Sequence, residues 1–229
     1  MIEVKQVNKK FGKKHVLRDL SFSAEKGEIT CLIGINGSGK TTIMKAIMAL
    51  TPIASGEILI DGERLTKKTF EKITFIPDAI TMMPSMTIRA AFDFMADFYA
   101  SWNESRAQEL LQFFKLNEAD RIASLSKGNT AKVNMILGLA LDVDYLLMDE
   151  PFSGIDMFSR EQIAEVFTSH LLEGRGVILT THEIQDVEHL IDKAVFLQDG
   201  RVVREFNVET LREQEGKSVI DVMREVYIG

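Results

Sequence analysis

A single cysteine, four prolines and one tryptophan stand among 229 residues. One cysteine excludes an intrachain disulfide. Cys31 sits inside the run Ile29, Thr30, Leu32, Ile33, which predicts a buried, inert thiol and suits a reducing compartment. Basic excess is also missing. The 27 Lys and Arg face 34 Asp and Glu, a net charge of −7, which argues against non-specific nucleic-acid binding. The longest apolar zone, 133–148, is broken by Asp142 and Asp144, and a membrane span needs roughly 20 mostly apolar residues. Residues 1–5 carry no signal-peptide core. Work at a membrane would therefore need another anchor. No repeat, low-complexity tract or long linker marks a second domain.

What is present alternates between strand and helix patterns. Residues 2–7 and 16–22 read as strands around a Gly12-Lys13-Lys14 turn, and 58–60 leads into an Asp61-Gly62 turn. Buried strands are predicted at 29–33, 73–76, 145–148, 176–180 and 194–197, the last meeting an Asp199-Gly200 turn. Helices are predicted at 42–50, 87–100 (with Thr87 as N-cap), 104–116, 128–141 and 159–172, with a polar helical end at 208–226. The strand–helix–strand order implies an α/β core with a parallel sheet and a helical block inserted between strands. Met82, Met83 and Met86 fit either an adaptable docking groove or the core of that block.

Gly34-Ile35-Asn36-Gly37-Ser38-Gly39-Lys40-Thr41 reads G-x-x-x-x-G-K-[ST], between a predicted strand and a predicted helix. Glycines let the backbone approach phosphates, and the helix N-terminus adds partial positive charge. Gly34, Asn36, Gly37, Ser38, Gly39, Lys40, Thr41 and Thr42 are the candidate nucleotide contacts. Lys40 would reach the β/γ-phosphates, and the Thr41 hydroxyl would face Mg²⁺. Asp149-Glu150 closes an apolar strand, where two carboxylates are costly without compensation. Asp149 would bind Mg²⁺ near the phosphates, and Glu150, pointing the other way, would take a proton from an attacking water. His182 follows a third strand. The carboxyl ends of parallel strands share one crevice, so Lys40, Glu150 and His182 are expected on one rim. His15, His170 and His189 read as ordinary surface residues. Leu125-Ser126-Lys127-Gly128-Asn129 opens a helix as an anion-binding cap or as a plain N-cap.

In this order and spacing the motifs resemble those of the ATP-binding subunit of an ABC transporter, over nearly the whole chain. Ser153-Gly154-Ile155-Asp156 resembles the family's D-loop, His182 its switch histidine, and residues 125–129 its LSGGQ signature. The resemblance implies an α/β P-loop NTPase core with a mostly parallel sheet, an N-terminal antiparallel β subdomain and an inserted α-helical lobe. A single ATPase domain would fill 1–229, with the core at 1–76 and 145–229 and the lobe at 77–144. It implies ATP and Mg²⁺ bound between two such domains paired head to tail, as a homodimer or heterodimer. Ser126 and Gly128 would then meet the γ-phosphate held across the interface, with Asp156 beside it. Phe11 would stack on adenine, its alternative being a core Phe before a turn. Asp78 stands where the family usually has Gln, as a further metal candidate, and Lys127 and Asn129 also depart from the signature. The variants resemble exporter-type ATPases. A transmembrane permease would be the partner, holding the chain at the cytoplasmic face of the membrane, with no nucleic acid expected. The rivals are a soluble ABC-type ATPase without transport and an ATP-binding regulatory module.

Overall fold

The computed structural model describes residues 1–172, 174–182 and 184–228, with the side chains of His170 and Asp186 excepted, so the expectation for His170 lies outside the described residues. Strands β1 (Ile2–Phe11) and β2 (Lys14–Ala24) form a hairpin. β4 (Ser55–Ile60) and the short β5 (Glu63–Arg64) extend it to an antiparallel sheet of order β2-β1-β4-β5. The second sheet runs β10-β9-β3-β8-β7-β6. Its members are β3 (Ile29–Ile33), β6 (Ile73–Ile76), β7 (Tyr145–Asp149), β8 (Gly176–Thr181), β9 (Lys193–Gln198) and β10 (Arg201–Asn207). Every pairing in it is parallel except β9 with β10. β7 and β8 are buried at every residue, as a sheet covered on both faces requires.

Helix α1 (Lys40–Ile47) follows β3, and the single turn α2 (Lys67–Phe70) precedes β6. Helices α3 (Ile88–Phe98), α4 (Glu104–Phe113) and α5 (Lys127–Leu139) lie between β6 and β7. Helix α6 (Met157–Phe167) joins β7 to β8, and α7 (Val208–Glu215) and α8 (Val219–Tyr227) follow β10. Thr87 caps α3 as expected, its hydroxyl accepting from the Ala90 N–H at 3.1 Å.

The predicted helix ends move by a few residues, for local reasons. α1 starts at Lys40 because Gly39 caps it, and stops at Ile47 because Ala49 turns left-handed (φ 51°) and the Leu50 N–H closes on the Lys45 carbonyl. Lys115, at φ 55°, ends α4 in the same way. The polar end is two helices because Gly216 is left-handed at φ 64°.

Two apolar layers hold the sheets. One lies between them and includes Ile2, Leu17, Leu32, Met44 and Val195. The other runs without a break from Phe92, Leu110 and Ile136 of the helical block to Leu146, Leu179 and Phe196 of the large sheet. Each fully buried side chain of this size contributes roughly 1.5–3 kcal/mol. Met82 and Met86 pack on this second layer, whereas Met83 is exposed, so the methionine run divides between core and surface. Cys31 is fully buried. That burial and the neighbouring Glu150 carboxylate raise its pKa far above the ordinary range, as an inert thiol requires.

Asp61, in the β4–β5 turn, joins separate parts of the chain. Its carboxylate accepts from the Met1 ammonium (3.0 Å), Lys72 Nζ (2.7 Å) and the Tyr145 hydroxyl (2.5 Å). Burial alone would raise its pKa, but these donors more than offset that and hold it well below the carboxylate range. A depressed folded-state pKa means stability that is present above the unfolded value, near 4, and lost as the pH falls through the folded one. Asp61→Asn is expected to cost about 1–2 kcal/mol at pH 7, after allowance for solvent screening. Urea denaturation of both proteins should show the gap closing as the pH falls below about 4. An equal gap at pH 7 and pH 2.5 would contradict this account.

Candidate active site

Register puts the candidate residues on one edge. Ile33 lies opposite Thr181 and Asp149 opposite Thr180, so the segments after β3, β7 and β8 leave the large sheet side by side. After β3 the chain turns through exposed Asn36 and Gly37, with the Ser38 N–H closing on the Ile35 carbonyl at 3.1 Å. Gly39, at φ 111°, caps α1 in a conformation side chains disfavour, and a Cβ there would lie 2.8 Å from Leu17 Cδ2. The Ser38 hydroxyl is buried and has no hydrogen-bond partner among the described residues. A buried, unpaired hydroxyl at a helix N-terminus fits an anion.

Lys40 is 6% exposed. Its Nζ donates to the Gly34 carbonyl at 2.7 Å and stands 3.4 Å from Glu150 Oε1. Glu150 Oε2 lies 2.8 Å from His182 Nδ1, so the Glu150 carboxylate bridges an ammonium and an imidazole. Its backbone sits at φ 50°, a strained conformation for a residue with a Cβ, and its N–H donates to Thr180 Oγ1 at 2.9 Å. Asp149 has different partners. It is buried, and its Oδ1 accepts from the hydroxyls of Thr41 (3.1 Å) and Thr180 (2.7 Å). Thr41 and Asp149 together offer oxygen ligands of the kind Mg²⁺ takes beside substrate phosphates. No group of three or more His, Cys, Asp or Glu able to hold a metal by itself occurs among the described residues.

The structure thus brings Lys40, Thr41, Asp149, Glu150 and His182 together. Thr42 lies half-buried in the first turn of α1. Phe11 is 53% exposed at the hairpin end, with Lys9 Nζ 4.6 Å from its ring centroid, so it is not a core residue. His15 bonds Asn8, and His189 is exposed; neither reaches the cluster. Asp78 has no hydrogen bond or ion pair to Thr41 or Asp149 among the described residues. It lines, with Glu150, Lys127 and Asn134, a cleft of about 220 Å³ between the helical block and the strand ends.

Residues 125–129 form a separate feature. Exposed Ser126 caps α5, accepting from the Asn129 N–H at 3.2 Å. Gly128 is buried against the start of α6, where a Cβ would meet Ser159 Oγ at 2.2 Å and Asp156 Oδ2 at 2.7 Å. Asp156 itself caps α6, accepting from the Ser159 N–H (3.0 Å) and hydroxyl (2.7 Å). These hydrogen bonds hold its pKa below the ordinary range.

Sequence reasoning missed Thr180. Its hydroxyl ties the Glu150 backbone to the Asp149 carboxylate. The available signal was a pair of hydroxyl residues, Thr180 and Thr181, closing an apolar strand just before a candidate histidine.

The family model described as ABC transporter matches residues 17–153. The ABC transporter ATP-binding protein YtrB of Bacillus subtilis is 30% identical over 217 residues, 93% of this chain and 74% of YtrB. The Nod factor export ATP-binding protein I of Burkholderia lata is 31% identical over 230 residues, 96% of this chain and 76% of the relative. Among solved structures, an ATP-binding subunit of an ABC transporter superposes with a TM-score of 0.87 at 28% identity, covering 99% of both chains. The cassette MJ0796, solved as a dimer in a post-hydrolysis state with ADP and Pi, gives 0.79 at 25% identity, covering 90% of this chain and 98% of its own.

Proposed function

The chain belongs to the ABC transporter family and is an ATPase, and from that premise we propose that it is the motor subunit of an exporter, driving a separate membrane-spanning subunit. The observation that carries the catalytic half is the bridge from Lys40 through Glu150 to His182, beside the unpaired Ser38 hydroxyl. Lys40 and the loop amides hold the triphosphate. Glu150 accepts the proton of the attacking water, and His182 orients Glu150 and the γ-phosphate. Thr41 and Asp149 would hold Mg²⁺, which when bound offsets the phosphate charge, with Asp78 across the cleft as a further oxygen donor. Phe11, exposed and flat, stacks on the adenine.

Two copies, or this chain and a sister, pair head to tail. Exposed Ser126, at the tip of α5, then meets the nucleotide held by the other subunit, with Gly128 and Asp156 shaping that tip. The dimeric cassette MJ0796 supports the pairing, and the names of YtrB and of the Nod factor export protein support a transport role. No helix among the described residues is long and apolar enough to cross a membrane. In this reading the permease holds the chain at the inner face of the membrane. Affinity purification of the tagged chain from detergent-solubilised membranes tests this. The expected result is an integral membrane protein in constant ratio to the chain, with MgATP turnover in the same fraction. Turnover with no membrane protein bound favours a soluble ABC-type ATPase, and a membrane complex without turnover favours a regulatory module.

A further inference from the structure

Tyr227, the last residue of α8, reaches the phosphate loop from beneath. Its hydroxyl lies 3.1 Å from the Ile33 carbonyl oxygen and 2.9 Å from that of Leu197. The Ile33 carbonyl belongs to the peptide group that opens the loop at Gly34. The Leu197 carbonyl forms the wall beside Gly34: a Cβ on that glycine would lie 2.8 Å from it and 2.4 Å from Ser38 Oγ. Gly34's own carbonyl accepts from Lys40 Nζ at 2.7 Å. Two successive peptide groups therefore link the phenol to the ammonium proposed to hold the phosphates.

The rest of α8 fixes the phenol in place. The ring packs on Phe196 with centroids 6.1 Å apart. Burial pushes the Tyr227 pKa up to about 12, so the phenol keeps its proton at neutral pH and can donate. At the other end of the helix the Ser218 hydroxyl accepts from the Asp221 N–H, Val219 and Val222 are buried, and the Val219 N–H donates to Glu188 Oε1 at 2.7 Å. Glu188 lies six residues beyond His182. One helix thus touches both the base of the phosphate loop and the segment that follows the candidate histidine.

We infer that Tyr227 is a positioning residue for nucleotide binding: its hydroxyl sets the Ile33–Gly34 peptide and, through Gly34, the placement of the loop amides and Lys40. The inference rests on the phosphate-loop reading of Gly34 to Thr41. It is separate from catalysis at Glu150, because among the described residues the phenol hydroxyl bonds backbone carbonyls, those of Ile33 and Leu197.

Tyr227→Phe keeps the ring on Phe196 and removes one shared hydrogen bond. Loss of placement weakens ground-state and transition-state binding alike. KM for MgATP should then rise about three- to ten-fold with kcat within about two-fold of the parent. A merely structural role predicts the opposite split, with fewer folded molecules lowering apparent kcat at unchanged KM. Hydrogen exchange of the nucleotide-free proteins supplies a readout that needs no turnover. Amides of residues 34–39 should exchange faster in the variant while β7 and β8 stay protected, whereas general unfolding would speed all of them. Unchanged KM together with unchanged loop exchange overturns the inference and leaves the phosphate-loop reading intact if the parent protein hydrolyses ATP. A parent protein that neither binds nor hydrolyses MgATP overturns that reading itself, and the exchange comparison then still decides whether Tyr227 orders the loop.

Discussion

Glu150→Gln is expected to hold ATP without hydrolysing it, with turnover down by about two to three orders of magnitude. The amide keeps the shape of the carboxylate but takes no proton from water, and a positioned general base typically contributes about 10²–10⁴-fold. Binding should not suffer. Glu150 Oε1 stands 3.4 Å from Lys40 Nζ, so the carboxylate competes with phosphate for the same ammonium and repels the triphosphate. The amide removes both effects, and ATP affinity should equal or exceed that of the parent. With turnover blocked, the proposed head-to-tail pair should accumulate. Light scattering of the variant with and without MgATP reads the dimer, and phosphate release reads the chemistry. Turnover within about five-fold of the parent would rule out Glu150 as the proton acceptor. A variant that binds MgATP yet stays monomeric at high protein concentration would remove the shared-nucleotide arrangement.

The parts of this site that sequence made legible are those carried by adjacent residues. The phosphate loop is a contiguous motif, and Asp149-Glu150 announces itself because two carboxylates after an apolar strand require a charged partner. His182 could be placed on the rim once three strands were read as parallel, and the pairing of Ile33 with Thr181 and of Asp149 with Thr180 supplies the geometry. What stayed hidden depends on register or on contacts between distant segments. Thr180 looks like any β-branched strand residue until the sheet turns its hydroxyl toward Asp149. Gly128 reads as part of an anion-binding cap, but its lack of a Cβ also serves packing on Asp156 and Ser159, about 30 residues away. Tyr227 ends an amphipathic helix whose Val219 and Val222 are buried, and nothing local connects it to Ile33, 194 residues earlier. Helix ends slipped for a related reason. Ala49 and Lys115 adopt left-handed turns without being glycine, so the usual stop signal was absent.

Lys40→Ala should lower ATP affinity by on the order of 100-fold, as expected for losing charge-assisted hydrogen bonds to phosphate. The fold should survive, because α1 remains anchored by buried Ile43, Met44, Ala46 and Ile47. The cost to stability comes instead from Glu150, a carboxylate only 16% exposed that loses its ammonium and keeps the His182 imidazole. A double variant separates the two effects. Adding Glu150→Gln to Lys40→Ala should recover stability, since no unpaired carboxylate remains, but should leave most of the affinity loss, since the phosphates still lack the lysine. Titration calorimetry with ATP and thermal melting of the parent, both single variants and the double variant complete the cycle. Lys40→Ala binding ATP within about three-fold of the parent would contradict the phosphate-loop assignment. If the double variant regained full affinity, the lysine would serve only to neutralise Glu150, and the phosphate would have to be held by the Ser38 hydroxyl and the loop amides alone.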